Sequence, residues 1–353
     1  MKPLRVGIIG CGWIAQTAHI PAYIENPKSK LVAICDANRE RLDEFARKYK
    51  IQNAFSDYQE LLQSNSVDAV SICTPTALHS QVAVECAKNN VHVLCEKPLA
   101  SNLEEAERIV QALSENRIKF MVGFNYRFLP NHVMAKKFVD AGKIGKPLLI
   151  RGVVVAPGPY RTDIDEKNYP SEAKKRIGAF FDLGSHLVDL FVWMMGKPSE
   201  VYAAFSSRTN DTDVDDSATA LVRFQSNVLG NVTVSWVNLP DYQSASDSRM
   251  IEIIGTGGRI DSEFLGPSLY FYGSNSISSK IKGKVKITPG KFNPKIPDEA
   301  LKWSYKKEID CFLESIVRDQ KPPITLDHAL QVLKIVVAAY DSAKHKSAVS
   351  MEC

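Results

Sequence analysis

Two groups of residues have the types and spacing to do chemistry. The first is Glu96-Lys97-Pro98, which directly follows an apolar run. A lysine at the end of a buried strand could hydrogen-bond a substrate oxygen or stabilise negative charge that develops on it. The alternative is a surface lysine in a turn, because most lysines are exposed.

The second group is centred on Asp182 and His186, with Asp189 three residues further on. On one helix these positions share a face. His186 could then be the general base that removes a hydroxyl proton during alcohol oxidation. Asp182 would orient the imidazole and favour its charged form. The alternative is that Asp182 caps a helix and His186 is a structural histidine.

A glycine pattern near the start of the chain has the features of a dinucleotide-binding turn. Gly10-x-Gly12-x-x-Ala15 lies between an apolar run at 4–9 and a helix predicted over 13–24. Gly10 would allow the tight turn, Gly12 would let the backbone approach a pyrophosphate, and Ala15 would let helix and strand pack closely. The helix N-terminus would hold the phosphate. Alone the pattern is weak, since glycines also occupy strand–helix turns that bind nothing.

An acidic residue strengthens this interpretation. Asp36 follows a strand predicted over 30–35, where it could accept hydrogen bonds from the adenosine ribose and repel a 2′-phosphate. This predicts NAD, with NADP the less favoured cofactor. Arg39 and Arg41 are close enough in sequence to weaken the preference, because an arginine could pair with the extra phosphate.

The elements that must position these residues alternate along the first third of the chain. Strands are predicted over 4–9, 30–35, 68–73, 91–95 and 118–123, and helices over 13–24, 38–49, 57–63, 77–89 and 102–116. This alternation predicts an α/β fold that begins with a doubly wound parallel sheet, a Rossmann domain, at residues 1–124. Ligands would bind at the carboxyl ends of its strands.

The pattern changes after residue 124. Helices are predicted over 130–141, 184–195, 299–319 and 325–344, and strands over 147–155, 201–207, 217–225, 229–237, 249–254, 258–262, 268–272 and 280–287. They predict an α+β domain over 125–353 with a large, mostly antiparallel open sheet. The C-terminal helix is a candidate to pack back on the first domain. The alternation Lys280-x-Lys282-x-Lys284-x-Lys286 is typical of an edge strand.

The glycine loop with Asp36, Thr74-Pro75, Glu96-Lys97-Pro98 and the Asp182–Asp189 motif together resemble the Gfo/Idh/MocA oxidoreductase family, named for glucose–fructose oxidoreductase and inositol dehydrogenase. The resemblance covers nearly the whole chain, including Gly123-Phe124-Asn125-Tyr126-Arg127. It implies an enzyme that transfers a hydride between NAD(P) and a secondary alcohol or ketone of a sugar, cyclitol or related polyol. One departure is Ile177-Gly178-Ala179-Phe180, where many members carry two or three consecutive glycines.

The resemblance also assigns residues to the site. The catalytic residues would be Lys97, Asp182 and His186. Separately, the chain has no His/Cys cluster at zinc spacing, so no metal is expected. The residues expected to bind cofactor are Gly10, Gly12, Trp13, Ile14, Asp36, Thr74, Pro75, His79, Glu96, Lys97 and Asn125. The residues expected to bind substrate are Lys97, Arg127, Tyr160, Asp182 and His186, with the irregular segment 160–177 facing the substrate.

Other functions stay open at this point. One is a ketoreductase acting on nucleotide-activated or antibiotic sugars, and another is a dehydrogenase of the trans-dihydrodiol type. A different class is a dinucleotide-binding sensor that has lost catalysis, which the presence of Lys97, Asp182 and His186 disfavours. The sequence names neither the substrate nor the direction of reaction.

Composition bounds the partners. The chain has 353 residues, 24% of them charged, and a net charge of only +4, which does not argue for a nucleic acid or membrane partner. Seven cysteines without a C-x-x-C pair are typical of free thiols in a reducing compartment, so a cytoplasmic protein is predicted. Apolar alternation at Val232, Val234 and Trp236 predicts a sheet that needs cover on both faces, hence a homodimer or homotetramer.

Overall fold

The computed structural model describes residues 2–114, 116–156, 177–207, 214–236, 249–263, 269–273, 283–287 and 297–351. They form two compact units. The first comprises the described residues up to 124 together with 305–333, and the second comprises those from 125 to 304 and from 334 onward. In these ranges no helix is both long enough and apolar enough to cross a membrane.

The first unit is built on a six-stranded parallel sheet with the strand order β3-β2-β1-β4-β5-β6. The strands are β1 (Leu4–Ile9), β2 (Ser29–Cys35), β3 (Asn53–Phe55), β4 (Ala69–Ile72), β5 (His92–Glu96) and β6 (Phe120–Gly123). The predicted parallel Rossmann sheet is therefore confirmed. Strand β3 was missed, because three residues are too short to give an apolar run.

Helices cover this sheet. They are α1 (Ile20–Glu25), α2 (Arg39–Tyr49), α3 (Tyr58–Gln63), α4 (His79–Lys88) and α5 (Leu103–Ser114). A π-helical turn at Ala15–His19 precedes α1. In it the N–H of Ile20 bonds the carbonyl of Ala15, and Pro21 follows in the first turn of α1, where a residue without an N–H is tolerated. Asn38 caps α2 by accepting a bond from the N–H of Arg41.

Two late helices complete the first unit. They are α8 (Pro297–Val317) and α9 (Leu326–His345), which contribute residues 305–317 and 326–333 to it. Phe312 and Leu313 of α8 are fully buried. Asp310 forms an ion pair with Lys28 at 2.5 Å. The ion pair joins this distant part of the sequence to the segment directly before β2 of the parallel sheet.

The second unit contains a nine-stranded sheet with the order β14-β13-β12-β11-β7-β10-β9-β8-β15. The strands are β7 (Pro147–Ala156), β8 (Pro198–Ser206), β9 (Ser217–Phe224), β10 (Leu229–Trp236), β11 (Arg249–Gly255), β12 (Gly258–Glu263), β13 (Leu269–Gly273), β14 (Gly283–Ile287) and β15 (Val349–Ser350). Among these described strands, only β7 and β10 pair in parallel. The predicted large, mostly antiparallel sheet is confirmed.

Strand β14 lies at one edge of that sheet, as the lysine alternation predicted. Lys284 and Lys286 belong to it, whereas Lys280 and Lys282 lie outside the described residues. The short strand β15 at the other edge was not predicted.

One face of the sheet is covered within the chain by helix α7 (Ser185–Met195), while α6 (Pro130–Asp140) lies against β12 and β13. A Cβ on Gly152 of β7 would lie 2.7 Å from Leu187 of α7, so glycine permits the close packing.

The apolar alternation in β10 marks the covered face of the sheet. Val232, Val234 and Trp236 are at most 2% exposed, so they belong to the core of the chain. These three side chains are therefore not available for contact with a second subunit. The opposite face carries the large exposed side chains Tyr202, Leu221 and Leu229.

Candidate active site

The glycine loop has the geometry of a phosphate-binding turn. Gly10 has a φ of +96°, and a Cβ there would lie 2.6 Å from the carbonyl oxygen of Cys73. A Cβ on Gly12 would meet no atom within 4 Å. Gly10 is thus required by the backbone of the turn, whereas Gly12 leaves open space where a ligand can approach the main chain. Trp13, directly after it, is 68% exposed.

Asp36 holds the glycine loop against the end of β2. Its Oδ2 accepts the N–H of Cys11 at 2.7 Å, and its Oδ1 accepts the N–H of Asn38 at 2.8 Å. The guanidinium of Arg41 lies 3.5 Å from Oδ2, and the Asp36 side chain is fully buried. This shaping of the loop was not predicted from the sequence. The expected ribose contact stays a prediction.

Thr74 and His79 follow β4. The hydroxyl oxygen of Thr74 is buried and has no hydrogen-bond partner among the described residues, which fits a polar ligand group at this edge. His79 is buried, with Nδ1 2.8 Å from the carbonyl oxygen of Pro98 and Nε2 3.0 Å from that of Thr74. Burial lowers the pKa of His79. His79 therefore joins the Thr74-Pro75 turn to the segment that carries Lys97.

Glu96 ends β5, and its carboxylate is almost fully buried. Its Oε1 lies 2.8 Å from Nε2 of His19, and its Oε2 accepts the N–H of Lys97 at 3.1 Å. Nδ1 of His19 lies 2.9 Å from the hydroxyl of Ser71, which lies 2.7 Å from that of Tyr23. The predicted residues Glu96 and Lys97 thus stand at the end of a buried polar chain.

Sequence reasoning missed His19, Tyr23 and Ser71, although each left a signal. His19 and Tyr23 are four residues apart, which places them on one helix face. Ser71 is the one polar residue of β4. A buried polar residue needs a partner, so these three positions should have been grouped.

In the second unit, Asp182 and His186 lie where the helical spacing predicted. Asp182 lies in a π-helical turn at Phe180–Gly184, which leads directly into α7 with His186. His186 is 5% exposed. Its ring packs on that of Tyr126, with 4.0 Å between the centroids. Tyr126 therefore restricts the orientation of the histidine, a role that the sequence did not indicate.

Arg127 and Asp189 form a buried ion pair. Nε of Arg127 lies 2.9 Å from Oδ2 of Asp189, and Nη2 lies 2.7 Å from Oδ1. The guanidinium also lies 5.3 Å from the ring centre of Trp193. Arg127 is only 6% exposed, so the pair ties the segment before α6 to helix α7. A substrate contact of Arg127 stays a prediction.

The two polar side-chain atoms of Asn125 differ in their hydrogen bonding. Its Nδ2 donates to the hydroxyl of Ser304 at 2.8 Å. Its Oδ1 is buried and finds no partner in the described part of the chain, which fits a ligand contact. Tyr160, with the segment through residue 176, lies outside the described residues.

Gly178, which precedes the turn with Asp182, is required by close packing. A Cβ on Gly178 would lie 1.6 Å from Oδ1 of Asp215. That carboxylate accepts the N–H of Phe180 at 2.8 Å and the hydroxyl of Tyr340 at 2.5 Å. Burial raises the pKa of Asp215. Asp215 and Tyr340, both missed from the sequence, therefore fix the turn that carries Asp182.

Comparison with known families decides the assignment. Residues 4–124 match the model of an oxidoreductase family with an NAD-binding Rossmann fold, and residues 132–261 match the Gfo/Idh/MocA C-terminal domain. The chain belongs to the Gfo/Idh/MocA oxidoreductase family. The predicted family, fold class and nicotinamide dinucleotide cofactor are confirmed.

Several relatives span the whole chain. A myo-inositol 2-dehydrogenase of Thermotoga maritima is 28% identical over 99% of both chains. An NAD⁺-dependent scyllo-inositol 2-dehydrogenase of Bacillus subtilis is 28% identical over 99% of this chain and 96% of its own. The structure of a levoglucosan dehydrogenase in complex with NADH superposes with a TM-score of 0.85 at 26% identity, covering 99% of this chain and all of the other.

In the described ranges, no group of three or more His, Cys, Asp or Glu side chains is arranged to hold a metal ion. The six described cysteines are all free, and five of them are buried. Burial raises their thiol pKa values, that of Cys35 to about 12. These thiols are therefore poor nucleophiles and poor metal ligands.

Proposed function

We propose that this family member is an NAD(P)-dependent dehydrogenase that acts on a secondary alcohol, or the corresponding ketone, of a sugar, cyclitol or related polyol. The observation that carries the proposal is that three features suited to ligand binding lie at the same edge of the first sheet. The open space at Gly12, the unpartnered Thr74 hydroxyl and the Glu96-Lys97 segment all follow strands at their carboxyl ends. The inositol and levoglucosan dehydrogenases among the relatives support the substrate class.

The residues divide the work of alcohol oxidation. The dinucleotide supplies the acceptor for the hydride that leaves the carbinol carbon. His186 takes the hydroxyl proton as general base. Its ring is held by packing against Tyr126, and Asp182 stabilises the imidazolium. Lys97 donates a hydrogen bond to the substrate oxygen and positions it. Ketone reduction runs the same proton transfer in reverse, from His186 to the oxygen.

We also propose NAD as the preferred dinucleotide. The buried carboxylate of Asp36 places a negative charge beside the loop where an adenosine ribose would bind, which disfavours a 2′-phosphate. The guanidinium of Arg41 at 3.5 Å offsets part of that charge, so the preference is expected to be modest.

The oligomeric state and the cellular location of the protein are two further proposals. We propose a homo-oligomer, a dimer or tetramer, that packs through the open face of the second unit's sheet. We propose the cytoplasm as its location, because free thiols persist in a reducing compartment.

A turnover assay tests the activity. The purified protein is incubated with NAD⁺ or NADP⁺ and a panel of inositols, anhydrosugars and aldoses, and dinucleotide reduction is followed by absorbance. Turnover of at least one polyol or sugar with NAD⁺ is expected. A His186→Ala variant should turn over roughly 10²–10⁴-fold more slowly, whereas His345→Ala, which changes an exposed histidine of α9, serves as the matched control. Tight NADH binding without turnover of any substrate would favour a sensor.

A further inference from the structure

The first unit contains a buried hydrogen-bonded chain that leads from the helix after the glycine loop to the end of β5. It runs from the hydroxyl of Tyr23 through Ser71 and His19 to the carboxylate of Glu96, with successive distances of 2.7, 2.9 and 2.8 Å. Tyr23, Ser71 and His19 are fully buried, and Glu96 is 6% exposed. Interior polar groups of this kind are expensive unless paired. The proposed chemistry leaves three of the four unexplained.

The chain fixes the carboxylate of Glu96 in one orientation. Oε1 faces Nε2 of His19, and Oε2 accepts the N–H of Lys97. On the neighbouring strand β6, Gly123 packs against this carboxylate, and a Cβ there would lie 3.4 Å from Oε1, at van der Waals contact. With His19 in the tautomer that donates from Nε2, both oxygens accept, which is the role of an ionised carboxylate.

The place of Glu96 in the sheet determines what its charge acts on. A dinucleotide bound across a doubly wound sheet has its adenosine ribose beside β2 and its pyrophosphate at the glycine loop. The nicotinamide half then extends toward the other half of the sheet, where β4 and β5 end. The nicotinamide ring is positively charged when oxidised and neutral when reduced. A carboxylate on this side therefore stabilises the oxidised form more than the reduced form.

We propose that Glu96 sets the ratio of the affinities for NAD⁺ and NADH, and that His19 is the positioning residue that holds the Glu96 carboxylate for this purpose. Ser71 and Tyr23 orient the His19 ring from its other nitrogen. The proposal rests on the proposed function, in which the first unit binds NAD. Lys97 itself is unchanged in every variant below.

The first experiment removes the charge. Dissociation constants of NAD⁺ and NADH are measured by calorimetry and by NADH fluorescence for wild type and Glu96→Gln. Glutamine keeps the size of the side chain and can bond to both former partners if His19 changes tautomer. The ratio of NAD⁺ to NADH affinity should fall on the order of tenfold. Glu107→Gln, an exposed carboxylate of α5, should leave it unchanged.

The second experiment separates the two sides of His19. In His19→Gln the side-chain nitrogen takes the place of Nε2 and keeps the bond to Glu96. In His19→Asn it takes the place of Nδ1, so the bond to Ser71 remains and that to Glu96 is lost. His19→Gln should keep the wild-type ratio, and His19→Asn should shift it in the direction of Glu96→Gln. A merely structural role would weaken both affinities equally in both variants, and melting temperatures identify a variant that fails to fold.

The outcomes separate this inference from the proposed function. Wild-type protein that binds neither dinucleotide would overturn both. If wild type binds both dinucleotides and the ratio is unchanged in Glu96→Gln, only the inference fails. If the ratio shifts in Glu96→Gln but not in His19→Asn, Glu96 keeps its role and His19 loses it. Tyr23→Phe, which removes one hydroxyl, provides a milder variant and should shift the ratio slightly in the same direction.

Discussion

Lys97, Asp182 and His186 are the residues whose substitution should affect chemistry more than folding. Lys97→Ala and His186→Ala should each lower turnover by roughly 10²–10⁴, the usual contribution of a positioned acid–base group or donor. Dinucleotide affinity should stay within a few fold, because the glycine loop holds most of the cofactor. Asp182→Asn should fold and lose activity, since the amide removes the charge that stabilises the imidazolium.

Melting temperature measured beside turnover decides between a chemical and a structural role for these three side chains. If they only support the fold, residual activity will track the folded fraction. A fully folded His186→Ala protein with near wild-type turnover would remove His186 from the mechanism.

Through His132, the stability of the folded protein should depend on pH. It is fully buried, with Nδ1 2.8 Å from the carbonyl oxygen of Tyr126, and burial lowers its pKa to about 4. Since the unfolded chain binds this proton near pH 6.5, the unfolded state takes up more protons between about pH 6.5 and 4. Stability contributed by neutral His132 is complete above that window and is lost as the pH falls through it.

A variant of His132 tests this linkage. His132→Asn keeps a donor in the place of Nδ1 but does not titrate. Its melting temperature should therefore fall less steeply than that of wild type between pH 6.5 and 4. Because Tyr126 packs on His186, the acid loss in wild type should also reduce activity. Equal slopes for the two proteins would contradict the assignment.

At the scale of elements, the two glycines of the turn between β1 and the first helix are needed for different reasons, Gly10 for folding and Gly12 for cofactor binding. Gly10→Ala should lower the melting temperature, because the new Cβ would lie 2.6 Å from the Cys73 carbonyl oxygen in a backbone conformation that disfavours side chains. Gly12→Ala should fold normally, since its Cβ meets nothing within 4 Å, and should instead weaken NADH binding. A Gly12→Ala protein that binds NADH like wild type would show that the cofactor does not approach this point.

Elements could be predicted from the sequence where their signal is local. Apolar runs and helical periodicity gave nearly all strands and helices, and the spacing of Asp182 and His186 gave a shared face. Contacts across the sequence could not be predicted in this way. Asp215 contacts Gly178, and Glu96 contacts His19. In each pair, the local sequence around one residue gives no indication of the other. The same limit applies to Val232 and Val234 of β10, since period-two alternation does not say whether the cover of each face comes from the same chain or from a second one.

The open face of the nine-stranded sheet is the surface on which oligomer formation should depend. Tyr202, Leu221 and Leu229 are each 44–54% exposed there. Leu221→Lys should weaken the oligomer, because a charge would be buried at the contact. Ile24→Lys changes an equally exposed apolar residue of the first unit and should have no effect.

Sedimentation at micromolar concentration measures the outcome. Wild type should sediment as a dimer or larger, and Leu221→Lys should shift toward the mass of one chain, 39.2 kDa. Wild-type protein that sediments only at that mass would remove the oligomer.

The discontinuous first unit has a consequence for synthesis on the ribosome. Its sheet is complete once residue 123 has emerged, yet Phe312, Leu313 and the partner of Lys28 belong to residues 305–333. At common elongation rates that segment follows roughly 10 to 40 s later. Throughout this interval the nascent Rossmann sheet lacks part of its apolar cover, while the whole of the intervening domain is being made. Chaperone demand should therefore peak late in translation, and ribosomes arrested before residue 305 should carry a first domain that proteases digest readily.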